Sequence, residues 1–309
     1  LAARCAEFAH DEALTIAKAA QYVDVSEQDH VRPDLLGQAG GPLPFAPTPT
    51  VESMGTMARK NINISREELS ESRRIWTSFH FLPGNRSEDA PVKEYQGETS
   101  WLLRKIKDEE LQDMRLVCFP NSSLAEDMVN DLVGKPVDCS SGTLHLLGLR
   151  MHALADTWAH QGFAGVNSYW FNEVEGKLTW VKSNEEIPFK VKVRMTAVEV
   201  GSPFLCTPPA PSFDSYSYAG HGRIGYVPDM PYACFRFHPH WSHGNIERNN
   251  PEEFMRAFLQ MVKAMMCVRQ GRRFAARTYW NPSGLAARVV ESVDVVLRRR
   301  LGLRSGEVC

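Results

Sequence analysis

His152, Asp156 and His160 stand at i, i+4 and i+8 in the run from Leu144 to His160. If that run is a helix, its 3.6-residue turn puts the three side chains along one face, each about a turn above the last. Leu146, Leu147, Leu149, Met151, Leu154, Ala155 and Trp158 surround the face, so the helix is expected to be buried on most sides. Two imidazoles and a carboxylate in such a setting are costly unless something pairs with them. A divalent metal is the simplest partner, because neutral imidazole nitrogen and carboxylate oxygen are both zinc ligands, and Asp156 in the middle has two oxygens to share between ions. The alternative is a polar core in which the three groups bond one another or neighbouring side chains.

Three further clusters offer ligands of the same kind. Asp24 ends the first expected helix, at Gln21-Tyr-Val-Asp24. His80 lies between Phe79 and Phe81. His221 and Asp229 flank a glycine-containing segment, Gly220-His221-Gly-Arg-Ile-Gly-Tyr-Val-Pro-Asp229. Each has an ordinary structural reading by itself: a turn residue, a core histidine, a turn after proline. Arg223, two residues past His221, has a fork of donors suited to a phosphate oxygen, or is a solvated loop arginine. A separate group, His238, His240 and His243 with Trp241, offers either an extended metal loop or the lining of an aromatic pocket.

The elements that must position these residues are mostly helical in the sequence. Residues 1–23 keep helical spacing through Ala13, Ile16, Ala17, Ala20 and Val23. Helices are also expected near Ser100–Asp113, from Ser123 to Leu132 after the capping run Asn121-Ser-Ser, from about Ser141 to Gln161, from Pro251 to Val268 with Asn250 as N-cap, and from Leu285 to about Leu301. The Gly- and Pro-rich stretch 31–50 is expected to be a flexible loop. Alternation in Lys177–Val181 and Phe189–Met195 predicts a small β-hairpin insertion over about 176–197. The expectation is one mainly α domain over 1–309 carrying that hairpin. The basic tail Arg298–Arg304 reads as a solvated helix end.

Composition bounds the function. The chain has 309 residues, 35 basic and 37 acidic, for a net charge of −2, so no global field draws it to nucleic acid, although a local basic groove stays open. No window has the ~18 consecutive apolar residues of a membrane span. Seven cysteines without a CxxC pair argue for mostly free thiols and a reducing, cytoplasmic setting, with secretion as an effector left open. There is no GxSxG elbow, Walker A loop, GxGxxG helix opening or HExxH.

The order Asp24, Phe-His80-Phe, His152-x3-Asp156-x3-His160, then Gly-His221 with downstream Asp229 resembles the zinc-dependent phospholipase C and single-strand-specific zinc nuclease superfamily. A closer likeness, from residue 11 to about 270, is to an uncharacterised bacterial family that looks related to those enzymes. The resemblance implies an all-helical phospholipase-C-like fold with two or three zinc ions, or another divalent metal. It implies that Asp24, His80 and His152 bind one ion with Asp156 bridging to a second, and that His160, His221 and Asp229 hold another. The gap from Asp156 to His160 is shorter than in the enzymes, and their metal-binding N-terminal Trp has no counterpart. The implied activity is hydrolysis of a phosphodiester or phospholipid by metal-activated water, with Asp24 or Asp229 as proton acceptor if it is not a ligand. A nuclease of the same fold is the less favoured variant, and a non-catalytic structural-metal or interaction protein is the rival from another class.

Overall fold

The computed structural model describes residues 1–25, 75–84, 114–138, 142–166, 169–187, 220–225, 227–276, 290–291 and 293–295. The expected loop 31–50, the helix near 100–113, the second hairpin segment 189–195 and the basic tail lie outside these residues. So does most of the helix expected from Leu285, of which positions 290–291 and 293–295 are helical.

The first expected helix is broken in two: α1 (Ala2–Cys5) and α2 (His10–Val25). Glu7 between them has φ 66°, which a continuous helix cannot contain. A π-helical turn, Trp76–His80, follows. Then come α3 (Ser123–Asn130) and α4 (Thr143–Ala159), the helix of the histidine ladder. Ser122 caps α3 by accepting from the Ala125 N–H at 3.1 Å. A short α5 (Tyr169–Asn172) leads into β1 (Val174–Trp180) and β2 (Glu186–Ile187). Last are β3 (Cys234–Pro239), β4 (Ile246–Asn249) and α6 (Asn250–Arg269).

The four strands form one antiparallel sheet in the order β2-β1-β3-β4. The expectation of a mainly α, all-helical architecture with a lone hairpin is therefore wrong: the fold is mixed α and β. The first strand of the expected hairpin corresponds to β1, whose edge partner is β2, with Leu178 opposite Ile187, and not a segment beginning at Phe189. On its other side β1 pairs with β3, which carries Phe235 and Phe237 inward and Arg236 and His238 outward. That alternation is a strand signal, read in the sequence instead as part of an aromatic and histidine loop. β4 has only four residues, too few for a period to declare itself.

Two apolar bodies flank the ladder. On one side Ile16, Val129, Leu132, Leu144, Leu147, Met151, Leu154, Phe258, Val262 and Met265 join α2, α3, α4 and α6. On the other, Phe81, Phe163, Val174, Leu178, Phe235 and Phe237 pack on the inner face of the sheet. Gly148 lets α2 lie close against α4, because a Cβ there would meet the Ile16 carbonyl oxygen at 2.4 Å and Ala19 Cβ at 2.6 Å. Asn249 caps α6, accepting from the Glu252 N–H at 3.4 Å, so the cap is one residue earlier than the sequence suggested. Cys5, Cys118 and Cys267 are free thiols, whereas Cys234 is disulfide-bonded.

Candidate metal centre

α4 presents His152 and Asp156 on one side with His160 following at its C-cap, and three other segments converge on them. The end of α2 brings Asp24, the π-helical turn brings His80, and the turns around Gly222–Ile224 and Val227–Asp229 bring His221 and Asp229. All seven residues singled out as ligands thus meet. Six of them form two groups, within each of which the donor atoms lie within 4.8 Å of one another: Asp24, His80 and His152, and His160, His221 and Asp229, with Asp156 between the two.

Asp156 Oδ2 lies 3.0 Å from His80 Nδ1, 3.2 Å from His152 Nε2 and 3.6 Å from His160 Nδ1, so it adjoins both groups, and His152 Nε2 lies 3.6 Å from Asp24 Oδ1. The two imidazoles also face each other, His152 Nε2 being 3.4 Å from His80 Nδ1. Asp24 is half exposed, while the His80 and His152 side chains are only 6% and 11% exposed, so the group opens to solvent through Asp24.

The second group has fixed tautomers. A carbonyl oxygen can only accept, so His160 Nδ1–H donates to the His80 carbonyl at 2.6 Å and His221 Nδ1–H donates to the Gly225 carbonyl at 2.7 Å. Both rings therefore turn Nε2 toward Asp229, at 3.1 Å from His160 and 3.5 Å from His221. Backbone carbonyls that fix the remote nitrogen are the usual outer support of a metal-binding histidine. In the neutral rings two lone pairs and a carboxylate would face one another, an arrangement that needs a cation or a proton between them.

The charges show the same coupling. Burial opposes ionisation of His160, but Asp156, together with the hydrogen bond and charge of Asp229 and the His80 carbonyl, outweighs it and pushes the pKa up to about 9. Burial likewise opposes the imidazolium of His152, and Asp156 and Asp24 raise its pKa. Burial would raise the carboxyl of Asp156, yet the charges of His152 and His160 and the hydrogen bonds from His152 and His80 hold it well below the usual range. Asp229 is also lowered: His221 and His160 overcome its burial.

Aromatic rings hold the histidines in place. Phe81 stacks on His160 with centroids 4.5 Å apart, and Phe163 meets His221 edge-on at 5.9 Å. Gly220 (φ +54°) admits the Phe81 ring, which a Cβ would strike at 2.1 Å from Cζ.

The remaining candidates have other partners. Arg223 Nε donates to the buried Glu173 at 3.0 Å, so that edge of its guanidinium is engaged within the fold. His240 Nδ1 and His238 Nε2 lie 2.6 Å and 4.0 Å from carboxylate oxygens of Glu175, and His238 Nε2 donates to the Ser242 carbonyl. With Glu175, His238 lines an open cavity of about 420 Å³ on the outer face of the sheet, away from the ladder. His243 is exposed and joins no cluster of donor atoms among the described residues.

Sequence reasoning missed Arg248 and read Asn250 only as a helix cap. Arg248 is 2% exposed and bonds the carbonyls of Trp158, Ala159 and Gln161 at the end of α4, which satisfies groups a helix terminus leaves orphaned. Asn250 is wholly buried and donates to the carbonyls of Val227, Pro228 and Met230 around Asp229. Nothing in local composition separates Asn250 from its neighbour Asn249, which caps the helix.

A mixed α/β chain with two adjacent His/Asp groups is what fold and site define. The chain belongs to a family of unknown function (DUF6765), whose model matches residues 1–297. No curated protein and no solved structure matches it. No helix among the described residues is long and apolar enough to cross a membrane.

Proposed function

We propose that this protein is a metal-dependent hydrolase of phosphodiesters, similar in its ligand set to phospholipase C. One observation carries the reading: His160 and His221 are each fixed by a backbone carbonyl so that Nε2 faces the Asp229 carboxylate. The donor chemistry, two imidazoles and a carboxylate, fits zinc and leaves a position for water, which is the pattern of catalytic rather than structural sites. Asp24, His80, His152 and Asp156 would hold a second ion. When bound, such ions bring the pKa of water toward ~7 and offset the charge of a phosphodiester.

The chain's own residues supply the rest. Asp156 holds His80 and His152 in register, and the Phe81 ring shields His160 from solvent on one face. Asp24 and Asp229 are the more exposed carboxylates, at 52% and 38%, so either can accept a proton from an incoming nucleophile if it is not itself a ligand. Arg223 lies two residues beyond His221, and its guanidinium fork, which bonds Glu173 within the fold, has the donor geometry suited to a phosphate oxygen.

The rival is a non-catalytic polar core. It is favoured by the contacts of 3.0–3.2 Å from imidazole nitrogens to Asp156 and Asp229, which are good hydrogen bonds if the rings are protonated. Elemental analysis of purified wild type beside Asp156→Ala separates the two. Two or more zinc equivalents in wild type, reduced in the variant, support the hydrolase reading and lead to assays on phosphodiester and phospholipid substrates, with single-stranded nucleic acid as the comparison. Wild type without metal, equally stable in chelator, would sink it.

A further inference from the structure

The geometry points to Asn250 as a positioning residue that, with Arg248, sets the separation of His160 from Asp229 and so governs cation binding by the second group alone. The inference rests on the metal reading above but concerns residues that are not ligands.

His160 and Asp229 are far apart in sequence and belong to different elements, so no local rule fixes their 3.1 Å approach. His160 is the C-cap of α4, and the last carbonyls of that helix are bonded by the Arg248 guanidinium: Trp158 at 2.9 Å, Ala159 at 3.1 Å and Gln161 at 3.4 Å. Arg248 Nη2 also donates to Asn250 Oδ1 at 3.0 Å. The amide of Asn250 then donates to Pro228 and Met230 at 3.0 and 2.8 Å, and to Val227 at 3.4 Å. One continuous set of bonds thus runs from the end of the ladder helix to the turn on either side of Asp229.

The strut has few ways to relax. Arg248 and Asn250 are 2% and 0% exposed, so water cannot take over lost bonds without entering the core. Asn250 is also anchored by its own N–H, which donates to the Ala233 carbonyl at 3.0 Å. Both amide ends of its side chain are used, one toward each ligand-bearing element. Asp24, His80 and His152 are carried by α2, the π-helical turn and the middle of α4, whereas the Asn250 amide bonds the turn that carries Asp229. Loss of Asn250 should therefore act on one group and spare the other, a selectivity that general destabilisation would not give.

Zinc titration of the chelator-stripped full chain by calorimetry tests this, with His152→Ala and His221→Ala assigning the steps to the two groups. Wild type should show both steps. In Asn250→Ala the His221-dependent step should weaken by about 10–100-fold, the range for groups that support a ligand from behind, while the His152-dependent step stays put. Leu132→Ala, in the helical core away from both groups, supplies a variant of lowered melting temperature that should keep both steps. If Asn250→Ala does not fold, Asn250→Ser, which retains a single donor, is read on the same scale and should also weaken that step selectively. Unchanged steps in the Asn250 variants, or equal weakening in Leu132→Ala, would overturn the positioning role while leaving the metal centre standing. A wild type that takes up no zinc would overturn both, and shows this before any substitution is made.

Discussion

His160 Nδ1 donates to the backbone carbonyl of His80 at 2.6 Å, so the polypeptide of one candidate ligand fixes the ring of another. The His80 side chain points its own Nδ1 at Asp156, while His160 turns Nε2 away toward Asp229. The two groups are in this way built back to back, joined by that hydrogen bond and by Asp156, whose Oδ2 also lies 3.6 Å from His160 Nδ1. Four outcomes follow from this arrangement and the packing around it.

Asp156 accepts from both His80 and His152 and is largely buried. Asp156→Ala in chelator-treated protein removes the acceptor and leaves two buried imidazoles facing each other. The expected loss is about 3–5 kcal/mol, as for breaking a buried pair at one end. Urea denaturation read by circular dichroism measures it; a change below ~1 kcal/mol would mean that the ladder is not a coupled polar core.

Metal-free stability should depend on pH in a definite window. The folded pKa of His160 is raised from 6.5 to about 9, so its contribution is complete below about 6.5 and is lost as pH rises through 9. Asp229 and Asp156 are depressed below the ordinary 3.8, so theirs is present above that value and lost as pH falls toward their folded values. Melting temperatures in chelator should therefore be highest between about pH 4 and 6.5 as far as these groups decide. Zinc requires neutral imidazole, so zinc affinity should instead rise with pH, with proton release detectable as buffer-dependent heat.

Gly148→Ala should separate α2 from α4. The new methyl would lie 2.4 Å from a backbone oxygen, which cannot swing aside as a side chain can. Overpacking of this kind costs about 1–3 kcal/mol. Because α2 carries Asp24, the variant should also weaken the His152-dependent zinc step more than the His221-dependent one. Denaturation and zinc titration of the same preparation check both parts.

Gly220→Ala has two penalties, a positive φ and a methyl driven into the Phe81 ring. Phe81 stacks on His160 and Gly220 precedes His221, so the strain falls on the second group. The expected result is a loss of about 1–3 kcal/mol in stability together with weaker zinc binding at the His221-dependent step. Equal weakening of both steps would show that the strain spreads beyond that group.

Much of the candidate site was legible because its core is local. The spacing of His152, Asp156 and His160 needs only a helix to align them, and a helix is a property of a short apolar-patterned run. Asp24, His80, His221 and Asp229 stood out as chemistry-bearing side chains beside turns and aromatics. The sheet was less legible. β4 has four residues, and β3 hid its alternation inside a segment whose histidines and tryptophan suggested a loop. β1 showed its own alternation but not that it would pair on both edges, since pairing is a relation between distant segments.

By itself the sequence determined which residues could bind a cation, and it aligned three of them, because side-chain chemistry and helical period are set over a few turns. Only the tertiary structure decided that six donors divide into two groups with Asp156 between them, that His160 belongs with Asp229, and that Arg248 and Asn250 tie the end of α4 to the Asp229 turn. Those relations join residues far apart in the chain, as Asp24 with His152 or Arg248 with the Trp158 carbonyl. Packing of whole elements creates such contacts, and no window of neighbouring residues contains the forces that fix them.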